Sequence, residues 1–278
     1  MNIKTYNFDS CYSTYMIDNN NTTGITSSPY YIQFPLSHPI RNIKRIVLLS
    51  IEIPILFNNI RGNTNNYYSL NYLSFNYVYN SVTYTYTTNI TESFYNNISS
   101  LLTVMNNIIL ADATLTSRNI QVSFSYNSAQ KIVITTNTAT FTMNNAPISG
   151  PYNRTAYPFM NLILGFNGLS ESTSNGTLTA PNRYNLNIDN YLNMQILNFG
   201  NNQNVNNINC SFKIPLNCTN GTIYYTFANT SYEQYIDNTD DNLILDKLNV
   251  RIVDRFNSNL NPNGGDFSFS LAIINKNV

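Results

Sequence analysis

The chain has 278 residues, enough for one large domain or two modest ones, with a sizeable buried core in either case. Charge is sparse at 10%, with 14 Lys and Arg against 14 Asp and Glu, so no basic field is available to hold nucleic acid or an anionic membrane. Asn fills about one position in five, and 22 Tyr, 15 Phe, many Ser and Thr but no Trp accompany it. A neutral surface of amides, hydroxyls and phenols suits packing against copies of the same chain, although an AT-biased coding sequence also inflates Asn, Ile and Tyr.

The opening Met1-Asn2-Ile3-Lys4-Thr5-Tyr6 lacks a signal peptide's apolar core, and no run of about 18 apolar residues is present to span a bilayer. The sequence therefore reads as soluble and not exported. Cys11, Cys210 and Cys218 are too few and too irregular for a disulfide framework; with His38 as the lone imidazole they make no ordinary zinc site, and a reducing cytoplasm fits. Sequons such as Asn89-Ile90-Thr91 are what an Asn-, Ser- and Thr-rich chain yields by chance.

Residues 1–29 show no lasting period and read as an N-terminal arm, whose Tyr6, Phe8, Tyr12 and Tyr15 offer apolar area to a neighbouring subunit. Tyr30 to Phe34 reads as a first strand, cut off by Pro35 and Pro39. Next comes the strongest apolar, β-branched run, Asn42 to Ile60. Ile46, Val47, Leu48, Leu49, Ile51 and Ile53 suit a central strand covered on both faces, with Glu52 near its end and Pro54 stopping it. Leu70 to Tyr79 and Val82 to Tyr86 follow as aromatic strands. Phe94, Ile98, Leu101, Leu102, Met105, Ile108 and Ile109 then recur at helical spacing, with Asn89 and Glu92 as N-cap and acidic N3.

Ile120 to Tyr126 alternates up to the turn Asn127-Ser128-Ala129-Gln130, and Ile132, Ile134 and later Phe141 return the chain as a hairpin. Leu162 to Phe166 is a short apolar segment before a Ser/Thr/Asn/Gly linker. From Tyr184 the chain is β again, through Leu192 to Ile196, Phe212 to Leu216, Ile223 to Phe227, Leu248 to Ile252 and Phe267 to Ile273. The β-rich ends supply six or seven strands, with an eighth available in 233–245, the count of a jelly roll. The expected architecture is mainly β: a single jelly-roll β-sandwich with an inserted small α+β domain. Its expected divisions are an N-terminal arm (1–29), a discontinuous base (30–62 plus 183–278) and an insertion (63–182), with breaks at Gly62-Asn63 and Pro181-Asn182.

Catalytic constellations are thin. His38, between prolines, reads as a surface residue in a loop or turn; Asp237, Asp240 and Asp241 read as a solvated loop without a calcium-loop pattern; Gly264-Gly265 reads as a turn. Glu52 and Asp254 are the carboxylates nearest the sandwich, and Lys44, Arg45, Arg251 and Arg255 are available to pair with them structurally. No catalytic, cofactor-binding or metal-binding residue is assigned, no cofactor is expected, and the chain reads as no enzyme. Tyr6, Tyr12, Glu52, Arg251, Asp254 and Arg255 are the candidates for an assembly interface.

The words Leu48-Leu49-Ser50-Ile51-Glu52-Ile53-Pro54 after a basic lead-in, then Phe57-Asn58-Asn59-Ile60, resemble the opening strand of the penton-like minor capsid proteins of virophages and giant DNA viruses. The helix, the hairpin with Lys131 after its turn, Leu164-Gly165-Phe166, Phe212-Lys213-Ile214-Pro215-Leu216, Leu248 to Asp254 and Asp266 to Leu271 resemble that family in order and wording. The likeness runs from about Ile32 to Ile274. The family's Gly-Asn-Tyr helix entry is replaced by Thr88-Asn89-Ile90-Thr91.

The resemblance implies a virion structural protein, late in expression and made in host cytoplasm or a viral factory. It implies a homopentamer filling icosahedral vertices, with the sandwich touching sister copies and double-jelly-roll major capsid proteins and the insertion pointing outward. Nucleic acid and membrane are not expected partners. A cement protein under the facets and a receptor- or glycan-binding virion module, with a host-surface ligand on the insertion, remain the alternatives.

Overall fold

The computed structural model describes residues 2–17, 27–62, 70–143, 148–149, 155–156, 159–166, 171–173, 176–187, 189–199, 210–216, 222–227, 234–238, 243–255, 260, 263 and 265–276. The chain opens with β1 (Asn2–Asp9), a 3-10 turn (Ser10–Tyr12), β2 (Thr14–Ile17), β3 (Ser27–Ile40) and β4 (Ile43–Pro54). The hairpin of β5 (Tyr72–Tyr79) and β6 (Val82–Asn89) leads to α1 (Ile98–Leu110) and α2 (Ala113–Ser117), then β7 (Val122–Tyr126), β8 (Ile132–Thr136) and β9 (Phe141–Met143). Short elements follow: β10 (Ile148–Ser149), β11 (Thr155–Ala156), α3 (Phe159–Ile163), β12 (Glu171–Thr173) and β13 (Gly176–Thr179). The last strands are β14 (Tyr191–Ile196), β15 (Phe212–Pro215), β16 (Ile223–Phe227), β17 (Gln234–Asp237), β18 (Leu245–Val253) and β19 (Ser268–Asn275).

The chain divides into two compact units, one of Met1–Phe57 with Asp189–Val278 and one of Asn58–Ile188. The first is an antiparallel β-sandwich. One sheet runs β1-β19-β4-β16 with β17 also on β4, and the other runs β15-β14-β18-β3-β2. The pairings nest from the chain's ends inward: β1 with β19, β3 with β18, β4 with β16 and β17, β14 with β15. Phe8, Ile46, Leu48, Ile51, Phe269 and Leu271 of one sheet meet Ile32, Phe34, Met194, Leu248 and Val250 of the other in one core. Phe8 stacks on Phe269 at 4.9 Å between centroids, and Phe34 stands edge-on to both.

β4 is central, with β19 on one side and β16 and β17 on the other. Its apolar density comes from phase changes rather than from full coverage of both faces. The register with β19 slips between Ser270 and Leu271, leaving Leu49 as an extra residue between Leu48 and Ser50. Such a bulge resets the period-two alternation. Ile46 and Leu48 before it, and Ile51 and Ile53 after it, all reach the core, while Val47 and Leu49 belong to a separate small cluster with Ala272 and Ile274.

The arm reading of 1–29 is corrected for its described part. Residues 2–9 form an edge strand whose Tyr6 and Phe8 alternate inward, the polar residues between them hiding the period. Ser10 pins its end: its N–H donates to Phe267 O at 2.9 Å, and its hydroxyl accepts from Phe267 N at 2.8 Å. Residues 14–17 form β2, and 18–26 lie outside the described residues. The first strand also runs past both prolines. The pairing of β2 with β3 extends no further than Gln33, so Pro35 and Pro39 sit where β3 is the sheet edge and needs no ladder donor on that side. His38 is accordingly an exposed strand residue.

The second unit holds the sheets β12-β9-β5-β6 and β13-β8-β7, with β10 and β11 as a separate pair. Asn80 and Ser81, both at positive φ (50 and 61), close the β5–β6 hairpin as a two-residue turn matched to strand twist. Phe75 and Tyr77 of β5 stack on Tyr86 and Tyr84, and the Arg118 guanidinium lies 3.8 Å over Tyr84 while donating to the Tyr77 hydroxyl at 2.6 Å. The expected hairpin at 127–130 forms between β7 and β8, but Phe141 belongs to β9, paired with β5 in the other sheet. Gly165 has φ +89, and a Cβ there would collide with the Asn182 carbonyl, so Leu164-Gly165-Phe166 is a turn that only glycine fits.

The helix begins later than the sequence suggests. Asn97, not Asn89, caps α1, its Oδ1 accepting Ser100 N at 2.9 Å, because 89–96 are spent on extended chain, including a bridge between Ile60 and Ser93. Ile98, Leu101, Leu102, Met105 and Ile109 form its buried face. From this helix Asn106 reaches edge strand β7, where its Oδ1 accepts Phe124 N at 2.8 Å and its Nδ2 donates to Phe124 O at 2.9 Å.

Two substitutions test these placements by urea unfolding. Phe8→Ala costs about 3–5 kcal/mol if β1 is part of the core, against under about 0.5 kcal/mol for a detached arm. Asn106→Ala costs about 2–3 kcal/mol by stranding both Phe124 backbone groups, whereas exposed Asn107→Ala changes stability by less than about 0.5 kcal/mol.

Candidate assembly interface

The outward face of the β1-β19-β4-β17 sheet carries an ion pair, a cation–π contact and exposed apolar side chains. Cross-strand pairing fixes its rows. Ile3, Ile274, Arg45 and Asp237 form one row, and Thr5, Ala272, Val47 and Tyr235 form the next. Val47, Ala272 and Ile274 are buried with Leu49 against them, while Ile3 is 58% and Tyr235 46% exposed. Further along, Ser270 donates to Asn7 Oδ1 at 2.7 Å and Ser268 donates to Glu52 Oε2 at 3.3 Å.

Arg45 is the anchor of this face. Its Nε and Nη2 donate to the two Asp237 oxygens at 2.6 and 3.1 Å, and its guanidinium lies 3.7 Å over the Tyr235 ring. The fork geometry makes this a stronger pair than a single contact would. The Arg45 hydrogen bond holds the Asp237 carboxyl below the usual aspartate range. The result is a charge-compensated pair with exposed Ile3 and Tyr235 beside it.

The six interface candidates scatter. Tyr6 packs against the core beside Phe8, and Tyr12 projects from the 3-10 turn at 83% exposure. Glu52 is exposed on the face just described. Arg251 lies in β18 of the other sheet, opposite Gln195 and Tyr31. Asp254 is buried, with Asn193 Nδ2 donating to its backbone carbonyl at 3.4 Å, so it presents no carboxylate at the surface. Arg255 is half-buried and donates to Asn190 Oδ1 at 3.3 Å.

Sequence reasoning missed Tyr235 as a surface contributor and the cluster of Val47 and Leu49 beneath that face, since only pairing shows which side of the bulge each residue faces. Of the acidic cluster, Asp237 is the Arg45 partner, and Asp240 and Asp241 lie outside the described residues, as does Gly264. Among the described residues no group of three His, Cys, Asp or Glu is placed to hold a metal, and no helix is long and apolar enough to cross a membrane. Lys131, singled out at the hairpin, donates from Nζ to Pro181 O at 2.7 Å.

No protein-family model matches the sequence, and no curated protein does. In overall structure the chain is similar to the mavirus penton protein. The alignment with that crystal structure covers 99% of this chain and 100% of the other, at a TM-score of 0.47 and 11% sequence identity.

The Arg45–Asp237 pair gives a pH test. Asp237 has its folded-state pKa lowered, so its stabilisation is present above the unfolded value and is lost as pH falls through the lower folded one. Asp237→Asn should therefore be slightly less stable than wild type at neutral pH, with the melting-temperature gap closing below about pH 4. A gap unchanged at low pH would mean that the substitution acts through packing instead.

Proposed function

We propose that this chain is a structural capsid protein of penton type, assembling as a homopentamer at icosahedral vertices and contacting double-jelly-roll major capsid proteins. The observation that carries this reading is the nested pairing of the first unit, β1 with β19, β3 with β18, β4 with β16 and β17, β14 with β15. Nested pairs folded into two facing sheets are the order of a jelly roll, an architecture used by viral capsids and also by lectins. Fold alone does not choose between those roles. The wording of β4, Leu48 to Pro54, and its matches along the chain favour the capsid.

On this reading the first unit is the base and Asn58–Ile188 is an insertion between β4 and β14. A five-fold ring needs two different complementary surfaces repeated around the axis. The outward face around Arg45 supports one such surface, since the Arg45–Asp237 pair there is already charge-compensated, while Glu52 on the same face leaves a carboxylate for a partner's donor. Glu52 beside Ser268 is exposed on that face, and Tyr12 on the 3-10 turn is exposed on the same unit. The proposed location is the virion, and the proposed partners are sister copies and the major capsid protein.

Native mass spectrometry of the purified chain, with negative-stain images of it mixed with capsid, tests the proposal. Pentamers and density at the vertices are expected, with about sixty copies per complete particle. Monomers alone with empty vertices would sink it, and a copy number far from sixty would point to a protein under the facets.

A further inference from the structure

Among the described residues several strand edges are closed by side chains, by charge or by shortness, and the long edge of β6 is not. The β7 edge is bonded by Asn106, and the β15 edge by Gln234, which accepts Lys213 N at 2.7 Å and donates to Lys213 O at 2.6 Å. β1 carries the exposed charges Lys4 and Asp9, and β12 and β13 span only three and four residues. β6 is eight residues long, pairs only with β5 among the described strands, and runs in unbroken register with it from Tyr79↔Val82 to Tyr72↔Asn89. Its sequence Val-Thr-Tyr-Thr-Tyr-Thr-Thr-Asn has high β propensity and neither charge, proline nor bulge. Those are the devices by which proteins blunt an open edge.

The phase of the ladder identifies which groups are open. The two-residue turn makes Tyr79 and Val82 a hydrogen-bonded pair, and at the far end Ile90 N donates to Asn71 O at 2.7 Å. Between them Val82, Tyr84, Tyr86 and Thr88 bond towards β5. Thr83, Thr85 and Thr87, all exposed, turn their N–H and C=O away from it.

We infer that the β6 edge is a strand-pairing surface and that its occupant is β6 of a second copy of this chain. The register that fits is antiparallel and centred on Thr85. It sets Thr85 opposite Thr85 and Thr83 opposite Thr87, so each outward N–H meets an outward C=O. It also sets Tyr84 opposite Tyr86 on the other face. Thr–Thr and aromatic–aromatic neighbours are favourable cross-strand pairs, and no charge meets a like charge. A charged edge such as β1 would place Lys4 or Asp9 against this neutral row without a partner, so β6 is its own best complement. The contact is two-fold, and a five-fold ring is not; it joins single chains or separate rings and goes beyond the capsid proposal.

Sedimentation velocity of the full chain over a concentration series, with amide hydrogen exchange at low and high concentration, tests it. Wild type should associate in pairs, of chains or of rings, while the amides of Thr83, Thr85 and Thr87 slow. Thr85→Pro removes an outward donor without touching the β5 ladder and should weaken pairing by about tenfold or more; Thr85→Val should stay within about threefold. Thr85→Lys, a charge at an exposed site, is the second disrupting variant should the proline unfold the hairpin, as circular dichroism would show. Absence of pairing, pairing equal in the disrupting variants, or protection only after another capsid component is added would overturn the inference. Five-membered rings that never pair would overturn it and leave the capsid proposal standing.

Discussion

A carboxamide carries the same donor and acceptor as a peptide group, and among the described residues this chain uses that equivalence at several places where a strand or loop would otherwise end with open backbone. Asn59 accepts Tyr95 N at 2.9 Å and donates to Tyr95 O at 3.0 Å; Asn198 donates to Lys247 O at 2.7 Å and accepts Asn249 N at 3.1 Å. Asn137 does the same across Asn119 O and Gln121 N, both at 2.8 Å, as Asn106 and Gln234 do at β7 and β15. Where the backbone is buried, as at Tyr95, the exchange removes a penalty of about 1–3 kcal/mol for an unpaired group; at the exposed sites it replaces water. It needs no counter-charge, which suits a protein with 10% charged residues.

That use changes what the Asn abundance means. Read from composition, amides suggested a surface for neighbours. Many of the described ones instead face their own backbone, several of them across more than fifteen positions of sequence. Gln234 shows the consequence: it sits in β17 of one sheet and bonds β15 of the other, so one amide ties the two edges of the sandwich together. At the opposite edge the chain itself makes the tie, running from β1 through the 3-10 turn into β2, with Ser10 fixed to Phe267.

What was legible in the sequence was whatever period and apolarity announce. The helix face from Ile98 to Ile109, the hairpin at 127–130 and the late strands carry a plain two- or four-residue signal, and the central strand shows by sheer apolar density. What was not legible depended on a partner far along the chain. The β4 bulge at Leu49 turns two ordinary alternating segments into one seemingly two-faced run. β1 looks patternless because only Tyr6 and Phe8 mark its inward side, and the strand exists because β19, some 260 residues later, supplies the ladder. Pro35 and Pro39 read as stops until β3 is known to be an edge at that point. Of the interface candidates, Glu52 and Tyr12 are surface features, whereas Asp254 is buried: a polar residue just past a strand end gives no sequence sign of its burial.

The same bookkeeping of edges ties fold to assembly. Outer faces and edges are where a β-sandwich meets its neighbours, and here Arg45 and Asp237 compensate each other while several described edges are bonded, charged or short. A surface with little self-repulsion has little to keep copies apart, so specificity must come from which backbone groups are left open and in what register. Closing β7 and β15 with side-chain amides removes them as alternatives. The unclosed β6, with threonines at every outward position and tyrosines between, then differs from its surroundings in the one property that strand pairing reads, the free alternation of N–H and C=O.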